Sequence, residues 1–305
     1  MKTRKTLLSL LIAGALSLSL AACKSITPED VAEGAKASLA AIENYRMNHK
    51  LSGEISSDAV TETIASDYDF EVVESPVYKK IVTKDSYNGE ESINTMYIVE
   101  EGGSFSTYIL YEDAWIRQDL DDSYSDYVKD YYSYPKTLEN LFDKADSFAL
   151  AGREKTENGS FIKGKLTFKG DNIKEALSAI NAASMDVFGQ GTAFFGEDDI
   201  LEFTIHFDDK TYMPVKYDSD LTPAMQKVFD VIYGGADHVH EDGTEHNHID
   251  ITVANYAFES SISDINSLEN TSLPSEVASA TTFEEHYADL MSEYYTEQAE
   301  EIPEE

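Results

Sequence analysis

From residue 45 onward the apolar positions fall on every second residue. Tyr45, Met47, His49, Leu51 and Ile55 alternate with Arg46, Asn48, Lys50, Ser52 and Glu54, the period of a strand buried on one face. Just upstream the period is helical. Thr27-Pro28-Glu29-Asp30 reads as a helix start, with Thr27 as N-cap, Pro28 at the first helical position and Asp30 closing a capping box. Val31, Ala35, Leu39 and Ile42 then share one face. Further alternating runs predict strands over 68–74, 78–83, 94–100, 104–111 and 114–120, with turns at Ser75-Pro76, Asn88-Gly89, Gly102-Gly103 and Glu112-Asp113. Successive strands joined by short polar turns make an antiparallel meander, packed on one face and solvated on the other.

A tyrosine-rich stretch then interrupts the alternation. After Pro135 a helix is predicted, with Leu138, Leu141, Phe142 and Ala145 on one face. Strands resume over 147–154 and 160–169, joined through Asn158-Gly159, a strong hairpin signal. Asp171 is expected to cap a helix carrying Ile173, Ala176, Leu177, Ile180 and Val187. Strands over 200–207 and 212–217 turn at Asp208-Asp209-Lys210, a short helix covers 223–233, and a late strand covers 250–258. No repeat of 20–50 residues is evident. The predicted fold is α+β: one continuous antiparallel sheet of nine or more strands, with a few helices against one face. Residues 281–305 read as a separable acidic tail, in which Thr282 and Glu285 form a second capping box and Phe283, Tyr287, Leu290 and Tyr294 a thin apolar stripe.

The first residues add an address. Lys2, Arg4 and Lys5 precede an apolar run from Leu7 to Leu20, too short for a permanent span, which ends in Leu20-Ala21-Ala22-Cys23. Small residues before a cysteine, directly after such a run, form a bacterial lipobox. Residues 1–22 are expected to be a signal peptide, and the Cys23 thiol to carry a diacylglycerol at the start of a linker, 23–27. Each acyl CH₂ contributes roughly 0.8 kcal/mol to membrane binding, so more than one chain anchors stably. Cys23 is the only cysteine, so a disulfide within the chain is excluded. Losing residues 1–22 removes three cations and no acid, leaving 20 Lys+Arg against 58 Asp+Glu, a formal charge of −38. Such a charge repels phosphate backbones, which excludes nucleic acid as partner, and favours cations. Hydrophobic content of 42% excludes a disordered chain.

The order of elements ends in the hairpin Phe203 to Lys216, with Asp209, Lys210, Tyr212, Pro214, Val215 and Lys216 at its core, and in Leu273-Pro274-Ser275-Glu276-Val277. With the lipobox, this resembles the LolA/LppX-like lipoprotein superfamily, and more closely the Gram-positive lipoproteins of that fold, over residues 26–280. The resemblance implies a strongly curved half-barrel sheet with helices packed in or against its concave face. In the better-known relatives that concavity accepts acyl chains. The histidine stretch 238–248 and the acidic tail depart from the pattern, and no ligand-binding residue carries over by position.

Candidate chemistry is sparse. There is no G-x-S-x-G elbow, no H-E-x-x-H and no phosphate loop. Residues 119–130 lack the glycine and glutamate of a calcium loop, with Tyr124 and Asp130 in their places. His238, His240, His246 and His248 are the one candidate metal set. An odd-length hairpin loop would point all four imidazoles to one face, where Zn²⁺ suits them; a two-residue turn at Asp242-Gly243 would separate them, leaving a polar loop. His49 and His206 read as half-buried structural residues and His286 as solvent-facing. Tyr124, Tyr127, Tyr131, Tyr132 and Tyr134 either rim a carbohydrate or lipid site or cover a sheet edge. The reading that results is a membrane-anchored, extracytoplasmic, non-enzymatic lipoprotein. It needs no cofactor and binds a hydrophobic or amphiphilic ligand in the sheet's concavity. The alternatives are a zinc-binding surface lipoprotein and a scaffold for protein partners.

Overall fold

A computed structural model of the chain describes residues 26–57, 60–111, 114–121, 123, 125–130, 133–157, 159–180, 195–233, 250–269, 271–288 and 291. Helix α1 (Pro28–Leu39) leads into a meander of β1 (Asn44–Ser57), β2 (Val60–Glu74), β3 (Val77–Tyr87), β4 (Glu90–Glu101), β5 (Ser104–Tyr111) and β6 (Ala114–Asp119). Helices α2 (Ser125–Asp130) and α3 (Tyr134–Lys144) follow, then β7 (Ser147–Thr156), β8 (Gly159–Lys169), α4 (Asp171–Ala179), β9 (Ile200–Asp208) and β10 (Pro214–Asp220). The chain continues through α5 (Thr222–Tyr233), β11 (Ile251–Ser263), α6 (Ser275–Ala278) and β12 (Thr281–Thr282).

The twelve strands of the described residues form one sheet in the order β12-β6-β5-β4-β3-β2-β1-β11-β10-β9-β8-β7. Every pair is antiparallel except β12 with β6. Strands β7 and β12 stand at the two edges, so the sheet is open rather than closed into a barrel. Inward-facing residues from β5 across to β8 join α1, α3, α4 and α5 in one core, from Phe105 at one end to Ile162 at the other. Laid flat, those nine strands would span about 38 Å at 4.8 Å spacing, too wide for a handful of short helices to cover. The sheet therefore curves around them, and the α+β half-barrel expectation holds.

Several strands run further than their apolar alternation. β2 begins at Val60, eight residues before the predicted start, and β4 begins at Glu90. The β4 extension is exposed throughout, and in the β2 extension only Ile64 is an apolar residue packed against the core, so neither carries an apolar alternation. The first turn of α1 is as predicted: Thr27 Oγ1 accepts from Asp30 N at 3.1 Å and Asp30 Oδ2 accepts from Thr27 N at 3.1 Å. The N-cap of α4, by contrast, is Gly170 at φ +51°, and Asp171 stands inside the first turn. Only glycine takes that conformation cheaply. Nor are all helices on one face. α6 packs Val277 on the outer face against Tyr78, Tyr97 and Tyr108, with Trp115 beside them. The second capping box forms, with Glu285 N donating to Thr282 Oγ1 and Thr282 N to Glu285 Oε2.

Candidate functional site

The docking of α1 is where the family-like hairpin shows its use. Asp208 Oδ1 accepts from Lys210 N, Thr211 N and Thr211 Oγ1 at 2.9–3.1 Å, which closes the turn. Tyr212 is thereby held at φ +56°, with its ring against α1. A Cβ on Gly34 would lie 2.3 Å from Tyr212 Cδ2, so glycine is required where the ring crosses the helix. Ser38 Oγ donates to Thr211 O at 2.7 Å and completes the seat.

Helix α3 is anchored by polar contacts at its first turn. The Tyr45 hydroxyl donates to Glu74 Oε1 at 2.8 Å and accepts from Tyr134 N at 2.9 Å. Ser133 Oγ donates to the same carboxylate at 3.0 Å, and the Tyr134 hydroxyl donates to Pro214 O at 3.0 Å. Burial and the Glu74 charge push the Tyr45 phenol well above its ordinary range. Beside this network Lys79, fully buried, donates to Val128 O and Lys129 O at 3.0 and 2.9 Å. Burial lowers its ammonium to about 8.

Between the two anchored helices runs a groove of about 720 Å³. Its apolar surface comes from Leu39 and Ala32 of α1, Ile42 after it, Phe142 and Pro135 of α3, and Phe148 of β7. Phe142 and Phe148 meet edge to face at 5.4 Å. Charges of both signs form the rim: Glu33 and Lys36 on one side, Lys136, Glu139 and Asp143 on the other, with Lys129 and Asp130 near the α2 end. The volume is within the range of small-molecule sites, about 300–1,000 Å³, and an apolar trough with a charged border suits an amphiphile. The expectation put the ligand space between sheet and helices. There the described side chains fill the interior themselves: Tyr45, Phe70, Leu138 and Phe203 are all at most 1% exposed. The open volume lies one layer out, between helices.

The other predicted site residues fare differently. Cys23 and the set His238, His240, His246 and His248 lie outside the described residues. Among the described residues no group of three or more His, Cys, Asp or Glu is arranged to hold a metal ion, and no helix is long and apolar enough to cross a membrane. Asp119 accepts from Ser106 Oγ and Arg117 Nε at 2.6 and 2.7 Å, a contact at the end of β6. Of the tyrosine run, Tyr134 is an interior residue at 0% exposure and rims nothing. His206 is structural, lying 3.6 Å from Glu154 and 3.3 Å from Asp218. His286 is not solvent-facing: it packs edge-on to Tyr111 at 5.7 Å, because the residues before it join β6. His49 is buried more deeply than expected, 8% exposed between the rings of Phe70 and Phe258 at 5.2 and 5.6 Å. Burial drives its imidazole down to about 3.

The model of one family matches residues 27–282, the whole sheet with its helices. The chain belongs to the family of unknown function DUF6612. No curated protein matches it. Among solved structures it is similar to the lipoprotein LppX of Mycobacterium tuberculosis, at 12% identity and TM-score 0.43, covering 79% of this chain and 96% of that one. It is similar also to LprF of Mycobacterium bovis, at 8% identity and TM-score 0.45, covering 81% and 96%. A third is a putative outer membrane lipoprotein-sorting protein domain of Vibrio parahaemolyticus, at 11% identity and TM-score 0.25, covering 80% and 94%. The DUF6612 match ends at Thr282.

Proposed function

We propose that this DUF6612 protein is a lipid-anchored, extracytoplasmic binding protein that takes the acyl chain of an amphiphile into the groove between α1 and α3 and performs no bond chemistry on it. The observation that carries the reading is the groove itself, floored by Leu39, Ile42, Phe142 and Phe148 and rimmed by charge. Leu39 and Ile42 are otherwise buried and Phe142 and Phe148 are half-buried, so an acyl chain laid in the groove would cover the apolar surface that remains. The lipobox supports the address: acylation of Cys23 would hold this acidic body close to the membrane from which such a ligand comes.

Three measurements test it. The mass of the mature N-terminus is expected to show an acylated Cys23, and an unmodified cysteine would remove the anchor. Native mass spectrometry of the gently extracted lipoprotein is expected to show bound lipid, and a fluorescent single-chain probe to bind saturably. Phe142→Asp places a charge on the groove floor and is expected to weaken the probe at least about tenfold, the equivalent of 1.4 kcal/mol. A lipid-free mass together with no probe binding would defeat the reading.

A further inference from the structure

The inner face of the sheet satisfies almost every polar group it buries. The hydroxyls of Tyr45 and Tyr134 and the ammonium of Lys79 have the partners given above, and Ser219 Oγ donates to Glu202 O at 2.8 Å. One row does not. His49 on β1 faces Ser260 on β11, and Ser260 faces Tyr217 on β10, each directly opposite in register. Residues paired in this way point to the same face of the sheet. His49 Nδ1, Ser260 Oγ and Tyr217 Oη are buried and have no partner at ordinary hydrogen-bond geometry, although the Ser260 and Tyr217 hydroxyls lie near enough to interact with each other. Ser260 and Tyr217 are fully buried, and His49 is 8% exposed. Among the described residues of this face, a row of three polar groups so poorly satisfied is hydrogen-bonding capacity held in reserve.

The Tyr217 end of this row lies under the first turn of α3, which also walls the groove. The Tyr134 ring packs against Tyr217 at 5.6 Å, while its neighbours Ser133 and Pro135 line the groove. We propose that His49, Ser260 and Tyr217 form an interior polar subsite of the ligand site, which receives the ester carbonyl or hydroxyl of a neutral glyceride when the first turn of α3 yields to the entering chain. The subsite rests on the groove reading and gives it a ligand class. The chemistry selects a neutral oxygen. Two hydroxyls and one uncharged imidazole both donate and accept, whereas the surrounding rings of Phe70, Phe258, Phe203 and Tyr134 offer no counter-charge for a carboxylate or phosphate. The buried cation of this face, Lys79, is spent on the carbonyls of α2.

The test compares monoolein with a hydrocarbon of equal chain length, each competing with the fluorescent single-chain probe on the full lipoprotein. The wild type is expected to prefer monoolein at least about tenfold. The triple variant His49→Phe, Ser260→Ala, Tyr217→Phe keeps the volume of the row nearly unchanged, and is expected to lose the preference while binding the hydrocarbon as before. Tyr217→Phe alone keeps the ring and removes one hydroxyl, so it reports even where the triple variant does not fold, and is expected to cut the preference about fivefold. Equal binding of the two probes by wild type, or a preference untouched in the variants, overturns the subsite and reduces the row to an internal water site while the groove reading stands. Failure of both probes to compete overturns the two together.

Discussion

At the scale of single residues, His49 couples the fold to pH. Its imidazole titrates at about 3 in the folded protein because burial among Phe70 and Phe258 disfavours the cation. Unfolded, it returns to the ordinary value of about 6.5. As pH falls below that value the unfolded chain takes up the proton first. The contribution of a neutral buried His49 is thus complete above about 6.5 and is lost downward toward 3, at about 1.4 kcal/mol per unit. His49→Phe abolishes this dependence and removes an orphaned nitrogen. Urea unfolding is expected to show the wild type losing about 2 kcal/mol more than the variant between about pH 7 and about pH 5. Parallel losses in the two proteins would mean that His49 is solvated in the folded state. The alternation Tyr45, Met47, His49, Leu51 already placed this histidine on the inward face. That it lies among groups without partners depends on Ser260 and Tyr217, more than 160 residues later in the chain, and no local pattern carries such information.

At the scale of elements, the groove exists because two helices are held apart at fixed seats, and the seat of α1 is the more easily broken. Gly34→Val drives a side chain into the Tyr212 ring, lifts α1 from the 208–212 turn and is expected to destabilise the protein by about 1–3 kcal/mol. In a Tyr212→Gly background the ring is gone and the positive φ is relaxed, so the same substitution is expected to cost almost nothing or to stabilise slightly, valine being a better helix former than glycine. Additive costs across this cycle would show that the ring and the helix do not meet. The elements themselves were largely legible. The Thr27 capping box, the Pro135 helix and the Asn158-Gly159 hairpin are local signals, and each forms where its signal stands. The ends of β2 and β4 were not, since strand continued by ladder hydrogen bonds past the core needs no apolar alternation. The groove was half legible: Leu39 and Phe142 were assigned to apolar helix faces, but that α1 and α3 flank one trough is a contact across about a hundred residues.

At the scale of the whole molecule, the sheet is two meanders joined along one seam. β1 to β6 run outward from the centre, β7 to β11 run inward from the far edge, and β1 meets β11 along both their lengths. No turn connects the two strands, so the sequence names the strands without naming the seam. One core crosses it, with Tyr45 and Met47 on one side and Tyr217 and Phe258 on the other, which ties the halves into a single cooperative unit. Charge works against that compactness. With 58 acids against 23 bases, most carboxylates have no cation to meet, and the ion pairs among the described residues are largely solvent-exposed. Exposed pairs contribute about 0–1 kcal/mol each, whereas the repulsion of a net charge of −35 acts over the whole surface. Salt weakens both, and the two disagree on the outcome. Raising ionic strength from about 0.01 to about 0.1 M shortens the screening length from about 30 to about 10 Å. That suppresses repulsion between distant acids far more than attraction within pairs whose atoms lie 3–4 Å apart. The calorimetric midpoint is therefore expected to rise over this interval, by about 2–4 °C for each kcal/mol of repulsion relieved, and to do so as one transition. A midpoint that falls would mean that the ion pairs, and not the excess of carboxylates, dominate the electrostatics of this sheet, and two separate transitions would mean that the seam between β1 and β11 is a boundary between independent halves.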